Sequence, residues 1–273
     1  MKFDMHCHTK EGSIDARVDL EHYIKKLIAQ GFDGMLITDH NSYKGFEKWE
    51  EIKDRIKTSK PFTVLKGIEY DTIDAGHFIA ILPDEVSCRL LELRGLTISE
   101  LEKLVHYLGG ILGPAHPYGT GFFALMHTKA GKHYKEWMDR FDFVETFNSC
   151  VHPSANEKAR ALAEKWNLPH FAGSDAHRYD AIGTAFTEFS HTIHSNNDLI
   201  HLIRDTRKCP QSQNCPNGKS CVNSDVLTNV YRQGNIVTRN LGVIGYYLYN
   251  KIAAAFRFPA RRRTKKNYQY LKH

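Results

Sequence analysis

Short apolar runs alternate with helix-type stretches along most of the chain. Eight runs read as strands: residues 2–7, 34–38, 62–68, 77–82, 110–115, 143–147, 169–173 and 184–189. Most are near-continuously apolar, the pattern of strands buried on both faces of a parallel sheet. Between them, Leu20, Tyr23, Ile24, Leu27 and Ile28 keep helical spacing, and Gly31 ends that segment. Thr97 and Glu100 form an S/T-x-x-E capping box ahead of Leu101, Leu104, Val105 and Leu108. Ser154 and Glu157 repeat the device before Ala159, Leu162, Ala163 and Trp166. Repeated strand–helix alternation predicts an α/β fold with a parallel sheet. The length, 273 residues, favours a closed barrel and leaves an open sheet possible. No internal repeat is visible.

The pattern fades after about Asp205. Residues 207–224 are polar and rich in Cys, Pro, Asn and Ser, which reads as a loop. Residues 240–258 are apolar and aromatic, and an Arg/Lys cluster follows. The expected organisation is therefore one α/β domain over 1–206 and an extension over 207–273.

Composition narrows the classes. At 41% hydrophobic and 25% charged residues, wholesale disorder is excluded. No apolar run reaches the ~20 residues that span a bilayer. Residues 1–8 carry an aspartate and histidines and lack the apolar core of a signal peptide. Cys7, Cys88 and Cys150 lie in or near apolar stretches and read as buried free thiols. A cytoplasmic protein is expected. The net charge of +6 would suggest a nucleic-acid or membrane partner, but ten positive charges follow Asp225, leaving residues 1–225 at −4.

The candidate chemistry begins at His6-Cys7-His8. Residues two apart on a strand share a face, so His6 and His8 project together, with Asp4 behind them and Phe3, Met5 and Cys7 opposite. Two imidazoles at a strand end make a natural metal chelate, although an isolated H-x-H is weak evidence. Other strand ends carry similar groups: Asp39-His40, Glu69, His116-Pro117 and Asp175-Ala176-His177. In parallel α/β folds such ends converge on one site, and polar groups packed that closely need metals or one another.

This set resembles the PHP superfamily, named for polymerase and histidinol phosphatase. The resemblance is carried by His6-Cys7-His8, Thr38-Asp39-His40, Gly67-Ile68-Glu69, Gly76-His77, His116-Pro117 and Gly173-Ser174-Asp175-Ala176-His177, in order over residues 1 to about 190. It implies a distorted (β/α)7 PHP-type barrel with a C-terminal extension, holding two or three divalent metals. It implies that His6 and His8 bind the first metal with Asp175. His40 and His177 bind the second with an acid from the first loop, taken as Asp15 rather than Glu11. Glu69 bridges metals, and His77 and His116 hold the third. Asp39 would orient a ligand histidine. Imidazole with carboxylate suits Zn, Mn or Fe. The expected reaction is hydrolysis of a small phosphoester, such as a nucleotide or sugar phosphate, by a metal-bound hydroxide, with Glu69, Asp175 and His177 central.

Lys10, Asn41 and Arg178 adjoin these positions and would touch substrate phosphate, or else be solvated side chains. The remaining histidines, including His22, His106, His127, His133, His152 and His201, read as surface or cap groups. Cys209, Cys215 and Cys221 lack the tight C-x2-C spacing of ordinary zinc sites, and a metal role and a plain loop both stay open. The basic tail would suit anionic lipid, a phosphate backbone, or simply a solvated helix end. Two rival functions therefore stand beside the phosphoesterase: an exonuclease on RNA or single-stranded DNA, and a non-catalytic PHP module for regulation or assembly. The oligomeric state is not legible.

Overall fold

The computed structural model describes residues 1–56, 60–208 and 222–223. All eight predicted strands are present: β1 (Lys2–Cys7), β2 (Gly34–Ile37), β3 (Thr63–Asp71), β4 (His77–Ile81), β5 (Ile111–Pro114), β6 (Val144–Asn148), β7 (His170–Gly173) and β8 (Thr187–Phe189). A short β9 (Val222–Asn223) pairs with β8 inside the segment read as loop. The helices are α1 (Leu20–Ala29), α2 (Lys44–Ile52), α3 (Ile98–Tyr107), α4 (Pro153–Trp166) and α5 (Asn196–Lys208). No helix among the described residues is long and apolar enough to cross a membrane. Cys209, Cys215, Cys221 and the basic tail lie outside the described residues.

The sheet is mixed, which corrects the all-parallel expectation. Its order is β5-β4-β3-β2-β1-β8-β9. The strands β1, β2 and β3 run parallel, whereas β4 is antiparallel to both β3 and β5, and β8 is antiparallel to β1. The cause at β4 is local. A tight turn from Thr72 to Gly76 joins β3 to β4, closed by the Thr72 N–H donating to the Gly76 carbonyl at 3.0 Å. A parallel neighbour would need a crossover of a dozen residues or more.

A separate parallel pair, β6-β7, fills the gap left by the curl of the larger sheet. At one seam the Asp142 N–H donates to the Leu112 carbonyl at 2.8 Å; at the other the Asp175 N–H donates to the His6 carbonyl at 2.8 Å. Each seam passes through a glycine. A Cβ on Gly113 would stand 2.4 Å from the Phe143 carbonyl oxygen, and one on Gly173 would stand 2.3 Å from the His6 Cβ. The result is a mixed α/β fold built on a curled, half-barrel sheet.

One apolar cluster fills the concave side. It takes Phe3, Met5, Leu36, Leu65, Ile79, Ile81, Ile111, Phe143 and Phe171 from around the curl. Leu199, Ile200 and Ile203 of α5 join the same cluster. Alternate residues, such as Met35, Ile37, Phe78, Ala80 and Leu112, face outward against the helices. In β1 the alternation is interrupted, because its pairing with β2 slips between Asp4 and Cys7. Met5 lies inside with Phe3, as alternation predicts, but beyond the slip Cys7 packs outward with Tyr23 of α1. Phe3, Met5 and Cys7 do not share a face, and Asp4 turns away from the imidazoles to accept from the Ser174 N–H at 2.8 Å and the His6 N–H at 3.3 Å.

Helix starts divide the two capping predictions. Thr97 caps α3 with the complete reciprocal box to Glu100. At α4 the predicted box between Ser154 and Glu157 is replaced by a cap at His152, whose Nδ1 accepts from the Ser154 N–H at 3.2 Å. Pro153 explains the shift: its fixed φ suits the first helical position, so the helix begins ahead of Ser154.

Candidate metal centre

The strand ends meet at one mouth. His6 and His8 come from the end of β1, His40 follows β2, Glu69 and Asp71 close β3, and His77 opens β4. His116 follows β5, and Asp175 and His177 follow β7. Because β4 runs against β3, a residue at its start reaches the same mouth as residues at the other strands' ends. Three non-glycine residues here hold positive φ: Asn41 at 47°, His116 at 30° and Asp175 at 52°. Such geometry costs of order 1–3 kcal/mol each and is kept where surrounding contacts over-determine it.

The closest-packed set is four atoms. His6 Nε2 lies 3.0 Å from His8 Nε2, 3.4 Å from Glu69 Oε2 and 3.5 Å from Asp175 Oδ1. His8 Nε2 lies 3.3 Å from Glu69 Oε2 and 3.1 Å from Asp175 Oδ1. Four ligands tetrahedrally placed at ~2.1 Å from a cation stand about 3.4 Å apart. These separations therefore fit a single shared ion.

Two further sets adjoin the first. Glu69 Oε1 is 3.0 Å from His77 Nδ1 and 2.9 Å from His116 Nε2. Asp15 Oδ2 is 3.6 Å from His40 Nε2 and 3.4 Å from His177 Nε2. Glu69 thus contributes one oxygen to each of two sets. Its Oε2 is buried and has no hydrogen-bond partner, although His40 Nδ1 stands 3.1 Å away. Asp15 Oδ1 is likewise buried and unpartnered. Unsatisfied carboxylate oxygens among crowded imidazole nitrogens are the condition that a divalent cation relieves.

The electrostatics agree. Burial would raise the Glu69 carboxyl, but His77, His40 and His6 hold it well below the usual range. Asp175 is likewise held down against burial by His6, His8 and His177, and Asp15 by His177 and His40. Burial would lower His177, yet Asp15 and Asp175 raise it to about 10. His6 is pushed well above its ordinary value by Glu145, Asp175 and Glu69, overriding burial. The site demands positive charge. A bound cation would supply it.

Supporting residues complete the picture. Asp39 does not touch a histidine. It accepts from the Thr9 N–H at 2.6 Å and lies 2.9 Å from Ser13 Oγ, which in turn is 3.1 Å from His8 Nδ1. Glu11 sits apart, its oxygens 3.3 and 3.5 Å from the Leu20 N–H. Asp71 was missed by sequence reasoning: its Oδ1 is 3.2 Å from His77 Nε2 and its Oδ2 is 2.7 Å from Arg94 Nη2. Its signal was available, since it stands two residues beyond Glu69 on the same strand. Glu145 was missed as well, a charge inside the apolar run 143–147.

Of the expected substrate contacts, Asn41 is buried, accepts from the Asp71 N–H at 3.1 Å and keeps an unpartnered Nδ2. The Lys10 and Arg178 side chains are 53% and 62% exposed, near Asp19 and Asp180 respectively.

Comparison with known proteins follows this geometry. Residues 153–207 match the family model described as PHP-associated, a span that contains Asp175 and His177. No curated protein matches the chain by sequence. Among solved structures, a Bifidobacterium adolescentis protein named as a metal-dependent phosphoesterase shares 15% identity, with a TM-score of 0.53, over 75% of this chain and 96% of its own. PsfC from Pseudomonas syringae shares 16%, with a TM-score of 0.56, over 73% and 87%. An amidohydrolase from Chromobacterium violaceum, solved with sulfate and no metal, shares 12%, with a TM-score of 0.54, over 74% and 96%. At these identities the likeness is one of fold. The family match over residues 153–207 agrees with the resemblance to the PHP superfamily that the motifs carry.

Proposed function

We propose that the chain hydrolyses a small phosphoester, a nucleotide or sugar phosphate, with two or three divalent cations of the Zn, Mn or Fe class. The observation that carries this reading is Glu69, which offers one oxygen to each of two adjacent ligand sets. His6, His8, Glu69 and Asp175 would hold the first cation, His40, Asp15 and His177 the second, and Glu69, His77 and His116 the third. When bound, such ions polarise a phosphoryl oxygen and lower the pKa of a coordinated water.

The chain's own residues then have defined tasks. His6, His8, His77 and His177, each raised above its ordinary value, would give up a proton to become ligands. Ser13, held by Asp39, fixes the His8 ring. Asp71, paired with Arg94, fixes the ring of His77. The spare Nδ2 of Asn41 is a donor for a substrate oxygen beside His40. Lys10 and Arg178, on the exposed rim, would attract the substrate anion. On the same reading the curled sheet, with β6 and β7 in its gap, is the distorted (β/α)7 barrel, supported by the hydrogen bond at each seam.

The names of the structural relatives include an amidohydrolase beside a phosphoesterase. A panel of phosphomonoesters, bisphosphates, short oligonucleotides and amides, assayed with Mn, Zn and Fe, separates these chemistries. The expected result is turnover of small phosphoesters that chelation abolishes. Turnover confined to amides, or to long single strands, overturns the proposal.

A further inference from the structure

Alone among the strands β1 to β7, β6 brings no side chain to the three ligand sets. Its polar side chains nevertheless touch three ligands. Glu145 is 1% exposed. Its Oε1 lies 2.8 Å from His6 Nδ1, and its Oε2 accepts from the His116 backbone N–H at 2.6 Å. Asn148, three residues on and also buried, donates through Nδ2 to Glu145 Oε2 at 3.2 Å and to Asp175 Oδ2 at 3.1 Å.

From these contacts we infer that Glu145 and Asn148 form a positioning pair that sets the aim of His6, His116 and Asp175. The inference rests on the proposed metal centre and adds residues to it that no motif of the chain announces. Each contact has a directional consequence. A carboxylate at His6 Nδ1 makes that nitrogen the donor and leaves Nε2, which faces His8, Glu69 and Asp175, to carry the lone pair. The bond to the His116 N–H helps hold that residue at φ 30°, a conformation an L-residue does not keep unaided. Asn148 occupies Asp175 Oδ2, so Oδ1 is the oxygen left to face the histidines.

One carboxylate thus serves ligands from the end of β1 and from beyond β5, and its amide neighbour serves the ligand beyond β7. The two Glu145 contacts cross from the β6-β7 pair to the larger sheet, and the Asn148 contact ties the ends of β6 and β7 together within the pair. The pair therefore links sheet closure to ligand geometry.

The test uses the full chain and the variants Glu145→Gln, Glu145→Asp and Asn148→Ala. Gln keeps the volume of Glu145, but once its oxygen faces His6 its NH2 must face the His116 N–H, donor against donor. Metal-to-protein ratio, affinity for Zn by chelator competition, and the visible spectrum of the Co(II)-loaded protein are read for each. Far-UV circular dichroism of the metal-free forms controls for folding. Glu145→Gln should bind about 10–100-fold more weakly than the parent, the range for losing an outer partner of a ligand, with an altered Co(II) spectrum. Asn148→Ala should do the same to a smaller extent, and Glu145→Asp should recover part of the loss. If folded Glu145→Gln and Asn148→Ala both match the parent in ratio, affinity and spectrum, the positioning role is wrong. Should Glu145→Gln fail to fold, Asn148→Ala alone decides by the same criterion. A parent that binds no Zn or Co(II) refutes the metal centre itself, a different outcome from variants that match a metal-binding parent.

Discussion

Replacing Glu69 by Gln tests the shared-carboxylate reading most directly. The two side chains have nearly the same shape, so the space among His6, His8, His40, His77 and His116 is preserved while one negative charge is lost. A carboxylate charge at ~2.1 Å from a divalent ion contributes about 4 kcal/mol even at the dielectric of water, the weakest case. That corresponds to roughly a thousandfold in affinity. Glu69 offers Oε2 to the first set and Oε1 to the third, so both positions should fall by that factor. Asp15→Asn is the matched control, because Asp15 serves the set of His40 and His177 alone. Plasma mass spectrometry after equilibration with buffered Zn would give metal per protein. Glu69→Gln should lose two positions where Asp15→Asn loses one. Equal losses in the two variants, or a parental ratio and affinity in Glu69→Gln, would refute the shared role of Glu69.

Three other outcomes follow from the same structure. Gly173→Ala should lower the melting temperature by an overpacking cost of about 1–3 kcal/mol and should deplete bound metal. The new Cβ would stand 2.3 Å from the His6 Cβ, so parental melting and metal content would show that β7 does not approach β1 this closely. Metal loading at a hundred times Kd stabilises by ~2.7 kcal/mol per site, or roughly 5–10 °C for a domain of this size. A chelator should therefore lower the melting temperature by at least that much, and an unchanged curve would count against any bound ion. His106, on α3, is raised above its ordinary pKa chiefly by the hydrogen bond to Asp142, with Glu102 adding to it against burial. Arg140 and Arg207 face the same two carboxylates, at 3.5 Å each. A raised histidine stabilises fully below its unfolded pKa of ~6.5 and loses that contribution as pH rises through the folded value. The melting gap between parent and His106→Gln should thus shrink as pH climbs from about 6 to about 9, and a gap independent of pH would dismiss the ion pair as its source.

Much of this molecule is written locally. The capping box at Thr97 and the eight apolar runs depend on neighbours a few residues away, and they form where the pattern places them. The motif residues are legible for a related reason: a histidine or acid ending an apolar strand has few other uses. What escaped depends on distant partners. The direction of β4 is set by the turn at Thr72 to Gly76, yet the sequence held a clue. His77 opens its strand while the other candidates close theirs, and one mouth can receive both only if β4 runs backward. Asp71 acquires its place from Arg94, whose position in the loop ahead of α3 no periodicity fixes. Glu145 looked like an interruption of a buried run, because its partners, His6 and the His116 backbone, lie on strands remote in sequence. The slip in β1 that turns Cys7 outward comes from pairing with β2, to which an alternation rule is blind.

The seam between β7 and β1 has a consequence for how the protein comes into being. It joins His6 and His8 to Asp175, which is made long after them. At ribosomal rates of about 5–20 residues per second, the imidazole pair waits on the order of 10–30 s for its carboxylate. During that interval the nascent chain carries an open two-nitrogen chelate with no cage around it. Any ion caught early is held by a fraction of its eventual ligands and exchanges freely with its surroundings. On the proposed metal centre, selection among competing metals is thereby deferred to the moment β7 docks against β1, when seam closure and ion capture become one event.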